Sequence, residues 1–108
     1  MRSNIHYSKE SRRDMDDIWA YIAQELQNPS AAKHVVDGIM DAVDQLELFP
    51  LMGTPLSIAV GENRDCRFLV KGNYMIFYRC QGTDVYVDRV LYGRRDYLRI
   101  LFGDIKEE

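Results

Sequence analysis

Tyr74-Met75-Ile76-Phe77-Tyr78-Arg79-Cys80-Gln81-Gly82-Thr83-Asp84-Val85-Tyr86-Val87-Asp88-Arg89-Val90-Leu91 reads as two strands about one tight turn. Aromatic and β-branched residues fill both halves, and Gln81-Gly82-Thr83-Asp84 supplies the glycine that a short hairpin needs. With a period of two, Tyr74, Ile76 and Tyr78 share one strand face, and Met75, Phe77 and Arg79 take the other. One of those faces must cover a core. Just upstream, Arg67–Val70 reads as a third strand, joined to the pair by Lys71-Gly72-Asn73. Links this short make the three strands consecutive antiparallel hairpins.

Ahead of the strands the period changes to that of a helix. Ser11 followed by Asp14 has the form of a capping box, opening onto Met15, Ile18, Trp19, Ile22 and Leu26 as one apolar stripe. Asn28-Pro29 starts a second helix, with Asn28 as N-cap and Pro29 where a missing N–H costs nothing. Ala32, Val35, Val36, Ile39, Val43 and Leu46 repeat the spacing. Pro50 closes that helix before a loop containing Gly53, Pro55 and Gly61. Two helices so close in sequence form an antiparallel hairpin. Asn4–Ser8 reads as a short edge strand, and Asp96–Phe102 as a terminal helix stopped by Gly103. The expected product is an α+β domain in the order β-α-α-β-β-β-α, an antiparallel sheet with the helical hairpin on one face.

The 108 residues fit one domain, spanning 1–108, and 46% hydrophobic with 29% charged residues is the balance of a folded globular chain. No apolar run approaches a membrane span, and the first residues lack the apolar stretch of a secretory signal. Two cysteines are too few for a disulfide framework, so reduced thiols in the cytoplasm are expected. The net charge of −3 hides an asymmetry: residues 64–99 carry eight basic and four acidic side chains, leaving −7 for the rest. A basic C-terminal half suits an anionic partner or a solvated surface equally well.

Several chemistries are disfavoured. His6, His34, Cys66 and Cys80 lie too far apart in sequence for a zinc motif, and Gly53, Gly61 and Gly72 make no phosphate-cradling loop. No metal or cofactor is expected. Cys66 and Cys80 fit neighbouring strands as packing thiols. Trp19 belongs with the core. Arg79 is the polar outlier of its face, explained either by an ion pair with Asp88 or by a site. Arg94-Arg95, just before the terminal helix, favours a partner-binding role.

Taken in order, certain segments resemble the RelE/ParE superfamily of bacterial toxins from type II toxin–antitoxin systems. They are Asp14-x-x-Asp17-Ile18-Trp19-x-Tyr21-Ile22, Asn28-Pro29-Ser30-Ala31-Ala32, Leu46-x-x-Phe49-Pro50-x-x-Gly53, Tyr74–Arg79, and Arg89-Val90-Leu91-Tyr92-Gly93-Arg94-Arg95-Asp96-Tyr97. The resemblance runs from Ile5 to Phe102. It implies a toxin neutralised by a cognate antitoxin protein, in a toxin–antitoxin hetero-oligomer. RelE-like members cut mRNA on the ribosome, and ParE-like members inhibit DNA gyrase without cutting anything themselves. Cleavage through the RNA 2′-hydroxyl needs a proton acceptor, a proton donor and cations for the phosphate. RelE-like toxins often carry an Arg directly after the central-strand Tyr, where this chain has Met75. The tail looks more like the ParE branch, though that branch commonly has His where Tyr92 stands. The resemblance therefore implies gyrase inhibition, with Arg94, Arg95, Asp96 and Tyr97 as target-binding residues. The alternatives are a ribonuclease built on Arg67, Arg79, Arg94 and Tyr97, and a non-toxic antitoxin-binding domain.

Overall fold

The computed structural model describes residues 2–55 and 66–93. The elements are β1 (Asn4–Tyr7), α1 (Lys9–Ala20), α2 (Pro29–Asp44), β2 (Thr54–Pro55), β3 (Cys66–Lys71), β4 (Tyr74–Gln81) and β5 (Asp84–Tyr92). They form an α+β fold whose five-stranded sheet has the order β1-β5-β4-β3-β2. The expected terminal helix, 96–102, lies outside the described residues.

The meander is as read. β3, β4 and β5 pair antiparallel, and the turns place Gly72 and Gly82 at φ +60 and +62, a region that only glycine enters without strain. Two features depart from the expected sheet, one in strand direction and one in strand number. β1 lies parallel to β5, which is possible because the whole helical hairpin and three further strands form the connection between them. β2, read as loop, adds a two-residue antiparallel strand beside β3, where Pro55 is tolerated at a sheet edge.

A register shift at Phe77/Tyr78 sets Phe77 opposite Arg89 and Tyr78 opposite Val87, so Asp88 is the extra residue of a bulge. The shift explains why the helix-facing buried residues of β5 run Val85, Val87, then Val90 rather than in strict alternation. These pack with Ile39, Val43 and Leu46 of the second helical segment and with Ile76 and Tyr78 of β4. The opposite sheet face gathers Met75, Phe77 and Leu91, with Phe68 against them.

The helix caps divide. Asn28 caps α2 as read, its Oδ1 accepting from Ala31 N–H at 3.1 Å. The α1 cap is Ser8 rather than Ser11: Ser11 N–H donates to Ser8 Oγ, and the buried Ser11 hydroxyl donates back to the Ser8 carbonyl, both at 2.9 Å. Asp14 is thereby released from capping and serves β5 instead. After Ala20 one wide turn, Tyr21–Glu25, closes i→i+5 hydrogen bonds. That added residue rotates the stripe, so Ile22 stays buried while Leu26 is 56% exposed. Trp19, expected in the core, is 40% exposed. Cys66 and Cys80 do lie on neighbouring strands, but Cys66 stands opposite Arg79, so the two thiols point from opposite sheet faces.

Candidate functional site

The strand ladder decides where the candidate arginines go. Arg67 pairs with Tyr78 across β3 and β4, and Tyr78 faces the helices; Arg79 pairs with Cys66 on the opposite face. The two guanidiniums are thus split by the sheet and cannot grip one phosphate. Each also has a local occupation. Arg67 Nη1 donates to the carbonyls of Leu51 and Gly53 at 3.1 and 3.0 Å, while its buried Nε–H finds no acceptor among the described residues.

Arg79 makes a bidentate ion pair with Asp88, Nε to Oδ2 at 2.8 Å and Nη2 to Oδ1 at 3.1 Å. Its guanidinium also lies 5.1 Å from the centre of the Tyr86 ring, on which His6 stacks at 4.9 Å from the other strand neighbour. The Asp88 hydrogen bonds hold Arg79 even further above its ordinary pKa, outweighing the opposing effect of burial. This is the ion pair that the sequence offered as one explanation of Arg79. His6 also bonds Asp84 at 2.9 Å, and that contact lowers the Asp84 carboxyl below its ordinary value.

The loop between α2 and β2 is fastened from beneath. Tyr78 donates its hydroxyl proton to the Pro50 carbonyl at 2.8 Å and accepts from Gly53 N–H at 2.9 Å. Cys80 Sγ lies 3.4 Å from the same Pro50 oxygen. A Cβ on Gly53 would stand 2.8 Å from the Phe68 carbonyl, so only glycine permits this approach. Burial raises the Tyr78 phenol, and its bond from Gly53 only partly offsets that. The Tyr78 hydroxyl therefore stays protonated near neutral pH and works as a fastener rather than a base.

Arg94, Arg95, Asp96 and Tyr97 lie outside the described residues; the point at which the chain departs toward them is defined. β5 ends at Tyr92, which is 70% exposed and meets Tyr74 edge-on with ring centres 5.3 Å apart. Gly93 follows at φ +73, and its N–H donates to the Asn73 carbonyl at 2.7 Å. Burial first, then the neighbouring Tyr92 and Tyr21, raise the Tyr74 phenol above its ordinary value, so it too is a neutral hydrogen-bonding group. Sequence reasoning did not single out this aromatic corner. Its only signal was that Tyr21, Tyr74 and Tyr92 are apolar-sized residues on elements that converge, which spacing alone does not reveal.

Further along β5, Arg89 forms a second bidentate pair, with Asp14 of α1 at 2.8 Å through both nitrogens. Asp14 accepts Val90 N–H as well, at 2.9 Å, and Ser8 Oγ donates to the Asp88 carbonyl at 2.9 Å. Together these polar groups cover the stretch of β5 edge that lies beyond the end of β1. Among the described residues, no three or more His, Cys, Asp or Glu side chains are grouped to hold a metal, and no helix is long and apolar enough to cross a membrane.

Residues 5–97 match the family described as the ParE toxin of type II toxin–antitoxin systems, parDE. The chain belongs to the ParE toxin family. It is 33% identical over 102 residues to Y4kP, a toxin candidate of Sinorhizobium fredii, covering 93% of this chain and 98% of that protein. In fold it resembles the chromosomal ParDE toxin–antitoxin system of P. aeruginosa, with a TM-score of 0.71, 18% identity, and coverage of 86% of this chain and 98% of that one. The RelBE2 toxin–antitoxin complex of Mycobacterium tuberculosis shares the fold at a TM-score of 0.55 and 20% identity, with 85% and 99% covered. The E. coli DinJ–YafQ complex does so at 0.54 and 16%, with 95% and 100% covered. A chain of the ParE family with this sheet is a type II toxin–antitoxin toxin.

Proposed function

We propose that this toxin acts as ParE-like proteins do, by inhibiting DNA gyrase rather than by cutting RNA, and that a cognate antitoxin neutralises it. The observation that supports this reading is the separation of Arg67 and Arg79 on opposite sheet faces, each engaged locally. RNA cleavage needs converging cations and a proton acceptor at one phosphate. At the position after the central-strand Tyr, Met75 is buried against Phe77 and Leu91 and offers neither. The gyrase contact then falls to the segment leaving β5, where Arg94 and Arg95 follow the exposed Tyr92. Arg is suited to a bidentate grip on carboxylate or phosphate, and aromatic residues beside it supply rigid contact area.

The antitoxin is proposed to add a strand along β3. Among the described residues β2 pairs with β3 only at Phe68 and Arg67, which leaves the edge from Leu69 to Lys71 for a partner strand. Co-expression with the product of the adjacent gene should then yield a tight complex and restore growth.

The deciding experiment sets purified protein against gyrase supercoiling of plasmid DNA, in parallel with mapping of mRNA ends after induction in cells. Loss of supercoiling or trapped cleaved DNA, with intact messages, is expected. Codon-phased mRNA cuts within minutes of induction, with gyrase unaffected, would overturn the reading in favour of the ribonuclease.

A further inference from the structure

A groove of about 370 Å³ runs between α1 and α2, lined by Arg12, Met15, Asp16, Trp19, Val36 and Met40. Its floor is apolar, and two of its largest side chains, Trp19 and Met40, are 40% and 42% exposed. Monomeric domains seldom leave a tryptophan and a methionine together in water without a use for them. The rim carries one charge of each sign. Arg12 and Asp16 are both exposed and stand four residues apart on α1, yet they form no ion pair with each other or with any described residue. The same spacing on α2 does close: Lys33 and Asp37 meet at 2.6 Å.

We propose that this groove is a weak, two-fold symmetric interface between two copies of the chain. A two-fold contact requires that residue i face residue j and that j face i. Arg12 and Asp16 lie about 6 Å apart along the helix axis. A two-fold axis crossing α1 between them, beside Met15, sets Arg12 of each copy against Asp16 of the other and closes the apolar floors together. The mixed rim selects this occupant. An acidic partner helix would be drawn by Arg12 but repelled by Asp16, and a basic one the reverse; only a surface carrying both signs in the opposite order satisfies both. Two short helices offer a small contact, so the dimer belongs to the weak, concentration-dependent class.

The test is sedimentation of the full chain across a concentration series, read together with tryptophan fluorescence. Trp19 is the sole tryptophan, so its emission reports the groove directly and should shift to the blue as dimer forms. Arg12→Asp and Asp16→Arg should each raise the dimer dissociation constant by about tenfold or more, because like charges then face each other twice. An equimolar mixture of the two variants should form a heterodimer, since both of its charge pairs are restored. The chain carrying both changes should dimerise with itself. A wild-type chain that stays monomeric with unshifted emission at every concentration would overturn the proposal, whether or not the variants fold. So would single swaps that dimerise as wild type does. If the chain alone is monomeric and the swaps instead weaken capture by the antitoxin, the groove belongs to that partner and the proposal fails.

Discussion

At the scale of single residues, two polar groups carry opposite lessons. The Tyr7 hydroxyl is buried with no hydrogen-bond partner among the described residues, and burial, followed by the nearby Asp44 carboxylate, pushes its pKa up to about 12. In the unfolded chain the phenol ionises near its ordinary value of 10.0. Above that pH the unfolded state sheds its proton first, so stability that is complete below it is lost as pH rises toward the native value. Tyr7→Phe removes the orphan hydroxyl and keeps the ring. It should leave stability unchanged or raise it by up to about 1 kcal/mol at neutral pH. Urea melts from neutral pH to about 11 should also show a shallower alkaline loss than wild type.

Asp14 is the reverse case, since its carboxylate, whose side chain is 10% exposed, satisfies Arg89 twice and Val90 N–H once. Asp14→Ala strands a partly buried guanidinium and a strand amide, and should cost about 2–4 kcal/mol in the same melts. Neither role was legible in the sequence. Asp14 lies three residues after Ser11, so local spacing suggested a cap, whereas its true partners are 75 and 76 positions away.

At the scale of elements, one substitution tests two environments. Gly38 sits inside α2, where a Cβ would come within 3.1 Å of a Lys71 side-chain methylene. That methylene belongs to a flexible exposed chain and can move aside. Gly38→Ala should therefore stabilise the protein by about 0.5–1 kcal/mol through helix propensity. Gly53→Ala meets the fixed Phe68 carbonyl and the buried Tyr78 ring instead, and should destabilise by about 2 kcal/mol or more. Denaturation midpoints of the two variants should move in opposite directions. The strands of the meander and the start of α2 were legible because their signals are local: alternation, glycine at a turn, Asn-Pro at a cap. The wide turn at Tyr21–Glu25 was not, because its one-residue insertion obeys no composition rule, and it turned Leu26 out of the stripe that the sequence had placed inside.

At the scale of the whole molecule, the prediction that matters concerns toxicity. Arg94→Ala combined with Arg95→Ala should abolish growth arrest while the protein keeps its melting temperature and still binds antitoxin. A folded double variant that arrests growth as wild type does would remove these residues from the target contact. The family resemblance was legible along nearly the whole chain, whereas the division of Arg67 from Arg79 required the register of β3 on β4. The pairing of β1 with β5 carries a consequence for how the chain comes to be folded at all. Asn4 meets a residue 80 positions later, at Asp84. Closing a loop of that length costs about 2 kcal/mol more than closing one of ten residues. The helices and the meander need only near neighbours, so they can form while synthesis continues. β1 is made long before β5 and has no berth until β5 follows it out of the ribosome, so that side of the toxin's sheet closes only after the helical hairpin and the meander have been synthesised.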